Sequence, residues 1–390
     1  MKIALALEKF SKHSGGAESY AVDLAQALVA NGWEVHLFGY EWDGNPPSAL
    51  FHQLKRPPFY MTASMKLLHF AFQHRSMVKN GTYDVIVGFG STIFMNVYQS
   101  HGGAHKLSSR RKLYAIRNPA LRFFKKIVML LSPKYHVRSW IESAPFRSKT
   151  LPRIVAISDM VKNDISEVFG TDRSQIEVIY NGIDGARFKK KTCCSEATSL
   201  RQSLGFDDHI LFLFMSYDFR KKGVRFLIEA ASKLRHASSN KFGVVVVGGT
   251  PSPSLSRLVR KLDLDGIVVF PGSTKTPQIC YNACDVFVLP TFYDACSLVV
   301  FEAMSSGLPV ITSACNGASG VIEHGIDGFV INDPADSSEI CDYMLALLNR
   351  DTLSIMSEKA MMKSVRYSLE ENHSQMMRVF AQAAVERTGA

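Results

Sequence analysis

The residues best able to do chemistry in this sequence lie in a few short segments, and the richest runs from Thr291 to Met304. It reads Thr-Phe-Tyr-Asp-Ala-Cys-Ser-Leu-Val-Val-Phe-Glu-Ala-Met. A short apolar run precedes it and an apolar helix is predicted to follow. The small residues Ala295 to Ser297 then form a helix amino end, where backbone N–H groups point outward at an anion such as phosphate. Asp294 lies in the loop and Glu302 eight positions later, about two helical turns inside. Carboxylates accept paired hydrogen bonds from vicinal diols, so one acid can meet a sugar and the other a ribose of the same ligand. An acid ahead of a helix can also be simply a cap and dipole partner, and that alternative stays open for Asp294. Glu302 sits in an otherwise apolar helix, where a buried charge needs a partner.

Asp218 to Gly223, Asp-Phe-Arg-Lys-Lys-Gly, brings three cations to a turn between a strand and a helix. Clustered positive charge there suits a diphosphate, although a solvated basic run would look the same. Gly15-Gly16 precedes a helix in the Glu8 to Glu18 loop and reads as a cradle for an anion or sugar hydroxyl, or as a plain turn. It is not a dinucleotide fingerprint: that needs three glycines and an acid closing the second strand, which here ends Phe38-Gly39-Tyr40. Gln99-Ser100-His101-Gly102-Gly103-Ala104-His105 supplies two histidines just after another strand.

The elements that must position these groups follow one grammar twice. Strands are predicted at Lys2 to Leu7, Glu34 to Phe38, Asp84 to Gly88, Asn96 to Ser100 and Ile154 to Ile157, with helices at 17–31 and 159–169. The second half repeats this with strands at Ile210 to Met215, Gly243 to Val247, Ile267 to Phe270, Asp285 to Leu289 and Val310 to Thr312. Helices are predicted at 223–235, 276–283 and 298–306. Strands alternating with helices imply parallel, doubly wound α/β sheets, hence two Rossmann-like domains facing across a cleft. The expected division is 1–188, with a basic insert at 105–149, then 200–350, then a helical tail at 351–390. The linker is expected at 189–199, where Lys-Lys-Lys and the adjacent Cys193-Cys194 replace any hydrophobic period. Ligands of such sheets bind beyond the carboxyl ends of the strands.

Together these segments resemble the retaining glycosyltransferases of the GT-B fold, whose mark is a pair of carboxylates separated by seven intervening residues beside the sugar nucleotide. Within that fold the chain is most similar to the group holding the lipopolysaccharide core glucosyltransferases, through Val87-Gly88-Phe89, Lys222-Gly223-Val224, Glu302-Ala303 and Gly307-Leu308-Pro309-Val310. One departure is Asp294, where the family usually has Glu. The resemblance implies transfer of a hexose, glucose or a relative, from a nucleotide-diphosphate sugar, expected to be UDP-linked, to a lipopolysaccharide-core, glycolipid or oligosaccharide acceptor. It implies that Gly15 and Gly16 approach the donor, that Lys221 and Lys222 neutralise its diphosphate, and that Asp294 holds the transferred sugar. Ser297, Leu298 and Val299 would offer N–H groups to the phosphate, Glu302 would hold the ribose, and Gly272 would open the base-binding loop. His101, favoured over His105, would contact the transferred sugar, so that Asp294, His101 and Lys222 form the expected catalytic set. The tail would cross back to the first domain. Sugar-nucleotide epimerisation or hydrolysis on the same fold is the alternative reaction.

No metal is expected, since no cysteine pair has zinc-knuckle spacing and the seven cysteines are scattered as in a reduced, cytosolic protein. No cofactor beyond the donor substrate is expected either. The chain carries 45 Lys+Arg against 35 Asp+Glu, a formal +10. That excess is local: His105 to Lys149 holds twelve cations and one acid, Glu142, leaving 33 against 34 elsewhere. Tyr114, Phe123, Phe124, Tyr135, Trp140 and Phe146 interleave with the cations, around an apolar run at Ile127 to Leu131. Such a segment reads first as a surface for anionic membrane lipid, second as a helix packed on its own sheet, and last as a nucleic-acid binder. With no signal-peptide core and no run long enough to span a bilayer, the expected location is cytoplasmic, peripheral on the inner face of the membrane.

Overall fold

The computed structural model describes residues 1–12, 15–43, 48–190 and 194–388. They form two units, Met1–Tyr180 with Glu370–Ala390, and Asn181–Leu369. Each is built on a parallel sheet.

In the first unit the strands are β1 (Lys2–Ala6), β2 (Glu34–Gly39), β3 (Leu50–Gln53), β4 (Val85–Gly88), β5 (Val97–Ser100), β6 (Arg153–Ala156) and β7 (Ile176–Val178). They lie in the order β3-β2-β1-β4-β5-β6-β7. β4 is buried along its whole length and β1 from Ile3 onward, because helices cover both faces of the sheet. Ile3, Leu5, Val35, Leu37, Val85 and Val87 enter one core with Leu24 and Leu28 of helix Gly16–Ala30.

The same core takes Met376, Val379, Phe380, Ala383 and Ala384 from the terminal helix Leu369–Thr388. Phe380 meets Trp33 at 6.2 Å between ring centroids, and Arg153 bonds Glu386 at 2.6 Å. The preceding helix, Arg350–Ser364, lies instead in the second unit. The stretch 351–390 therefore divides at Leu369.

The second unit carries β8 (Ile210–Met215), β9 (Phe242–Val247), β10 (Val268–Gly272), β11 (Val286–Leu289), β12 (Val310–Ser313) and β13 (Gly328–Ile331), ordered β10-β9-β8-β11-β12-β13. Both sheets reverse direction of growth beside their first strand, between β1 and β4 and between β8 and β11. These are the switch points at which loops on neighbouring strands diverge and leave room for a ligand.

The boundary lies ahead of the expected linker, because Phe188 packs on Tyr281 at 5.8 Å and its carbonyl accepts from Ser306 Oγ at 2.7 Å. Residues 181–190 are thereby part of the second unit; Lys191, Thr192 and Cys193 lie outside the described residues. Edge strands β3, β7 and β13 were not expected from the sequence. Their mixed, short runs carry little periodic signal, and pairing with a neighbour defines them.

Gly223 closes the turn after β8 with φ of +79°, and a Cβ there would meet the Pro290 carbonyl oxygen at 2.1 Å. Both facts demand glycine. Gly223→Ala should lower stability by about 2–3 kcal/mol in urea unfolding. An unchanged midpoint would show that the two loops are not held this closely.

Candidate functional site

The switch point of the second sheet gathers the segments singled out from the sequence. The loop after β8 delivers Lys221 and Lys222; the loop after β11 delivers Asp294 and runs into helix Leu298–Ser305. Phe292 N–H donates to the Lys221 carbonyl at 2.9 Å, tying one loop to the other. Asp218 Oδ1 accepts from Lys221 N–H at 3.0 Å, so the acid opening the basic turn shapes the backbone.

Lys222 is the focus. Its Nζ bonds the Asp294 carboxylate and Ser297 Oγ, the latter at 3.1 Å, and the residue is only 8% exposed. Ser297 Oγ also donates to Asp294 Oδ2 at 2.5 Å, while Asp294 Oδ1 accepts from Cys296 N–H at 3.3 Å. Burial pushes the Asp294 carboxyl up, but the Lys222 ammonium and hydrogen bonds from Lys222 and Ser297 outweigh it and hold the group below its ordinary value. The charge of Lys221 adds to that effect.

Ser297, Leu298 and Val299 lie at the amino end of the helix as expected, with one correction. The Ser297 N–H already donates to Asn316 Oδ1 at 3.3 Å and is not open to a phosphate. The first N–H groups of the helix, those of Leu298 and Val299, have no acceptor within the helix itself. Glu302, one turn further in, accepts from the Tyr281 hydroxyl at 2.7 Å. Burial raises its carboxyl, and that hydroxyl and the Arg187 charge oppose the rise only in part.

Gly272 ends β10 with φ of +90° and lines a cavity of about 490 Å³ with Val247, Ser273, Thr274, Thr276 and Ile279. This volume falls within the range of small-molecule sites.

The remaining candidates belong to the first unit. Gly15 caps helix Gly16–Ala30 with extended backbone, and Gly16 is its first residue. A Cβ at Gly15 would meet only the flexible Glu18 carboxylate, so the turn itself does not demand glycine there. The loop residues His13 and Ser14 lie outside the described residues. His101 packs its ring on Tyr20 at 4.6 Å and Phe89 at 5.4 Å, and burial pushes its pKa down to about 3. Its buried Nε2 has no partner among the described residues. His105 instead begins helix His105–Leu113.

A model of glycosyl transferases group 1 matches residues 208–350, and one of glycosyltransferase family 4 matches residues 14–187. The two matches together span most of the chain, and the protein is a glycosyltransferase. WaaG, the lipopolysaccharide glucosyltransferase of Escherichia coli, is 23% identical over 366 residues, which cover 90% of this glycosyltransferase and 91% of WaaG. An uncharacterised glycosyltransferase of Methanocaldococcus jannaschii is 30% identical over 179 residues, 45% of this chain and about half, 46%, of that protein's length. The WaaG crystal structure covers 100% of both chains with a TM-score of 0.76 at 22% identity. HepE of Anabaena, solved with UDP and glucose, covers 98% of this chain and 100% of its own with a TM-score of 0.68 at 19% identity. The fold of this glycosyltransferase is GT-B.

Two residues of its site were missed in the sequence. Asn316 is fully buried, holds the Ser297 and Ala318 N–H groups, and donates to Thr312 Oγ1 at 3.0 Å. Its place after β12, in an Asn-Gly pair, reads only as a turn. Tyr281 lies 21 residues from Glu302, and no local spacing links them.

Asp294 and Lys222 should be coupled in stability. Lys222→Met leaves the Asp294 carboxylate without its counter-charge and should cost about 2–3 kcal/mol, part of which Lys222→Met/Asp294→Asn recovers. Because the folded-state pKa of Asp294 lies below 3.8, its contribution is complete above that pH and is lost as pH falls through the folded value. Urea midpoints measured below about pH 4 should therefore slope less in Asp294→Asn than in wild type.

Proposed function

We propose that this enzyme is a retaining hexosyltransferase that moves glucose or a close relative from a UDP-linked donor to a lipopolysaccharide-core or other glycolipid acceptor. The observation that carries this is the Lys222 ammonium, confined between Asp294 and Ser297 at the mouth of a helix amino end. In retaining transfer the hard step is departure of the nucleoside diphosphate, and preorganised positive charge stabilises it without needing to reorganise. Lys222, Lys221 and the N–H groups of Leu298 and Val299 take that role here. With two lysines serving the diphosphate, no metal is needed.

Asp294 accepts from hydroxyls of the transferred sugar, and Glu302 accepts from the ribose. The cavity edged by Gly272 takes the base. On the first unit, His101 is held neutral by burial and offers its unpartnered Nε2 to a sugar hydroxyl. A histidine with so low a pKa is a poor general base, and none is called for when the departing phosphate oxygen receives the acceptor's proton. That WaaG is a lipopolysaccharide glucosyltransferase supports glucose and lipopolysaccharide, and the UDP and glucose bound by HepE support the donor.

A lipid-linked acceptor is supported by helix Pro119–Leu131, which has no buried residue. At 100° per residue, Phe123, Phe124, Ile127, Val128 and Leu131 share one arc, while Arg122, Lys125, Lys126 and Met129 share the opposite one. Arg122 and Met129 are partly covered, Arg122 Nε bonding the Ile116 carbonyl at 2.9 Å. Phe123, Phe124 and Leu131 are 66%, 59% and 75% exposed. An ordinary packed helix buries its apolar arc; this one turns it to solvent with cations on the flanks, as an interfacial membrane helix does. We read the enzyme as peripheral on the cytoplasmic face of the membrane. Among the described residues no helix is long and apolar enough to cross a bilayer.

Folded Lys222→Ala should lose about 10²–10³-fold in kcat. Glu302→Ala should chiefly raise KM for the donor. A folded Lys222→Ala enzyme transferring at the normal rate would falsify the site, and donor turnover without any acceptor would point to epimerisation or hydrolysis. Phe124→Glu/Ile127→Glu should abolish flotation with vesicles containing anionic lipid while UDP-glucose still raises Tm; unaltered flotation would exclude this helix as the anchor.

A further inference from the structure

A second, smaller cavity lies wholly within the first unit, and the donor chemistry does not use it. Its volume is about 180 Å³, and its lining includes Tyr98, Ser100, His105, Lys112, Arg138 and Glu142. These come from two sources. Tyr98 and Ser100 lie on β5, which leads into the His101 loop; the other four lie on the basic insert, in helices His105–Leu113 and Pro133–Ser143.

The cavity has a polar floor and a cationic rim. Glu142 is 7% exposed, and its Oε2 accepts the His105 N–H at 2.8 Å, occupying a helix start whose capping residue, Ala104, has no side-chain oxygen. Burial pushes the Glu142 pKa up to about 7 against the His105 N–H and the charges of Arg138 and Lys106. The acid is thus able both to accept and to donate near neutral pH. Burial, with the charges of Arg138, Lys112 and Lys134, pushes His105 down to about 4, so its imidazole is neutral, and its buried Nε2 has no partner among the described residues. Lys112 and Arg138 are exposed at the rim.

Fixed positive charge at the entrance selects an anion, whereas a carboxyl, an imidazole and hydroxyls at the floor match the vicinal hydroxyls of a sugar. The volume equals the share of about six waters in the liquid, room for one sugar ring and not for an acyl chain or a longer oligosaccharide. We propose that this cavity is an acceptor subsite for a single sugar residue bearing an anionic substituent, a phosphate or a carboxylate. The proposal rests on the glycosyltransferase reading with the acceptor on the first unit. It also ties recognition to location, because the insert that lines the cavity carries the outward apolar helix.

The test titrates the full-length protein with glucose, glucose 6-phosphate, glucuronate and inorganic phosphate, read by ligand-detected NMR. Glucose 6-phosphate or glucuronate should bind at least tenfold more tightly than glucose or phosphate, and which of the two wins separates a phosphate from a carboxylate. Arg138→Ala and Lys112→Ala, both at the exposed rim, should each weaken the anionic sugar about tenfold and leave weak glucose binding unchanged. Glu142→Gln should weaken neutral and anionic sugars alike. Phosphate binding as tightly as the sugar phosphate, or full affinity retained in both rim variants, overturns the subsite. UDP-glucose should still raise Tm in Arg138→Ala. If UDP-glucose fails to raise Tm even in wild type while the anionic sugar binds, the donor reading falls and the subsite does not.

Discussion

The second unit is organised around a cation that would be costly on its own. An ammonium taken out of water and left unpaired loses several kcal/mol of hydration, so Lys222 can sit 8% exposed only because an opposite charge and a hydroxyl surround it. Those partners come from a different loop. The two loops meet because β8 and β11 are neighbours in the sheet though they are far apart in sequence, and because Gly223 lets the first pass against the Pro290 carbonyl. Asn316, fully buried, then fixes Ser297 through its backbone N–H. The strand order, a left-handed glycine and a buried amide thus all act on the position of one nitrogen.

The doubly wound fold was legible because its central strands announce themselves. Phe242–Val247, with four consecutive valines, can hardly be anything but a strand covered on both faces. Helix Asp159–Phe169 was equally plain, with Ser158 capping Val161 N–H and Gly170 ending it at φ of +68°. Edges were less visible, since β3 and β7 depend on what they pair with. In the site, the sequence brought out the groups that carry charge, Lys222, Asp294 and Glu302, because charge is rare beside apolar runs. It did not bring out their supports. Asn316 and Tyr281 act through contacts 19 and 21 residues away, and no periodicity encodes such distances. The same limit explains the boundary: residues 181–188 read as part of the first domain and 189–190 as linker until Phe188 is seen against Tyr281.

The first unit shows how a net charge can mislead when taken whole. A formal +10 spread over the surface would speak for a polyanion, but the insert accounts for all of it. Within the insert the charges do different things. Arg111 forms a two-pronged bond to buried Asp164 at 2.8 Å and 2.8 Å, Arg122 stacks on Tyr114, and Arg147 lies over Trp140. These cations hold the insert's helices to the unit and to one another. Fewer cations are left for a partner than the count implies, and the exposed apolar arc of Pro119–Leu131 becomes the more telling feature.

Asp294, a methylene shorter than the glutamate its family favours, is explained by the same pair that organises the site. Its two oxygens are both engaged close to the backbone, Oδ1 by Cys296 N–H and Oδ2 by Lys222 and Ser297. The shorter acid therefore secures Lys222, and an incoming donor must share that lysine with it. Lys222 and Asp294 partly offset each other, and Lys221 and the helix amino end add further positive character beside them. Glu302, whose carboxyl burial raises, adds less negative charge than a solvent-exposed acid would. Fixed positive charge of this kind favours a group whose negative charge grows during reaction over one whose charge stays constant.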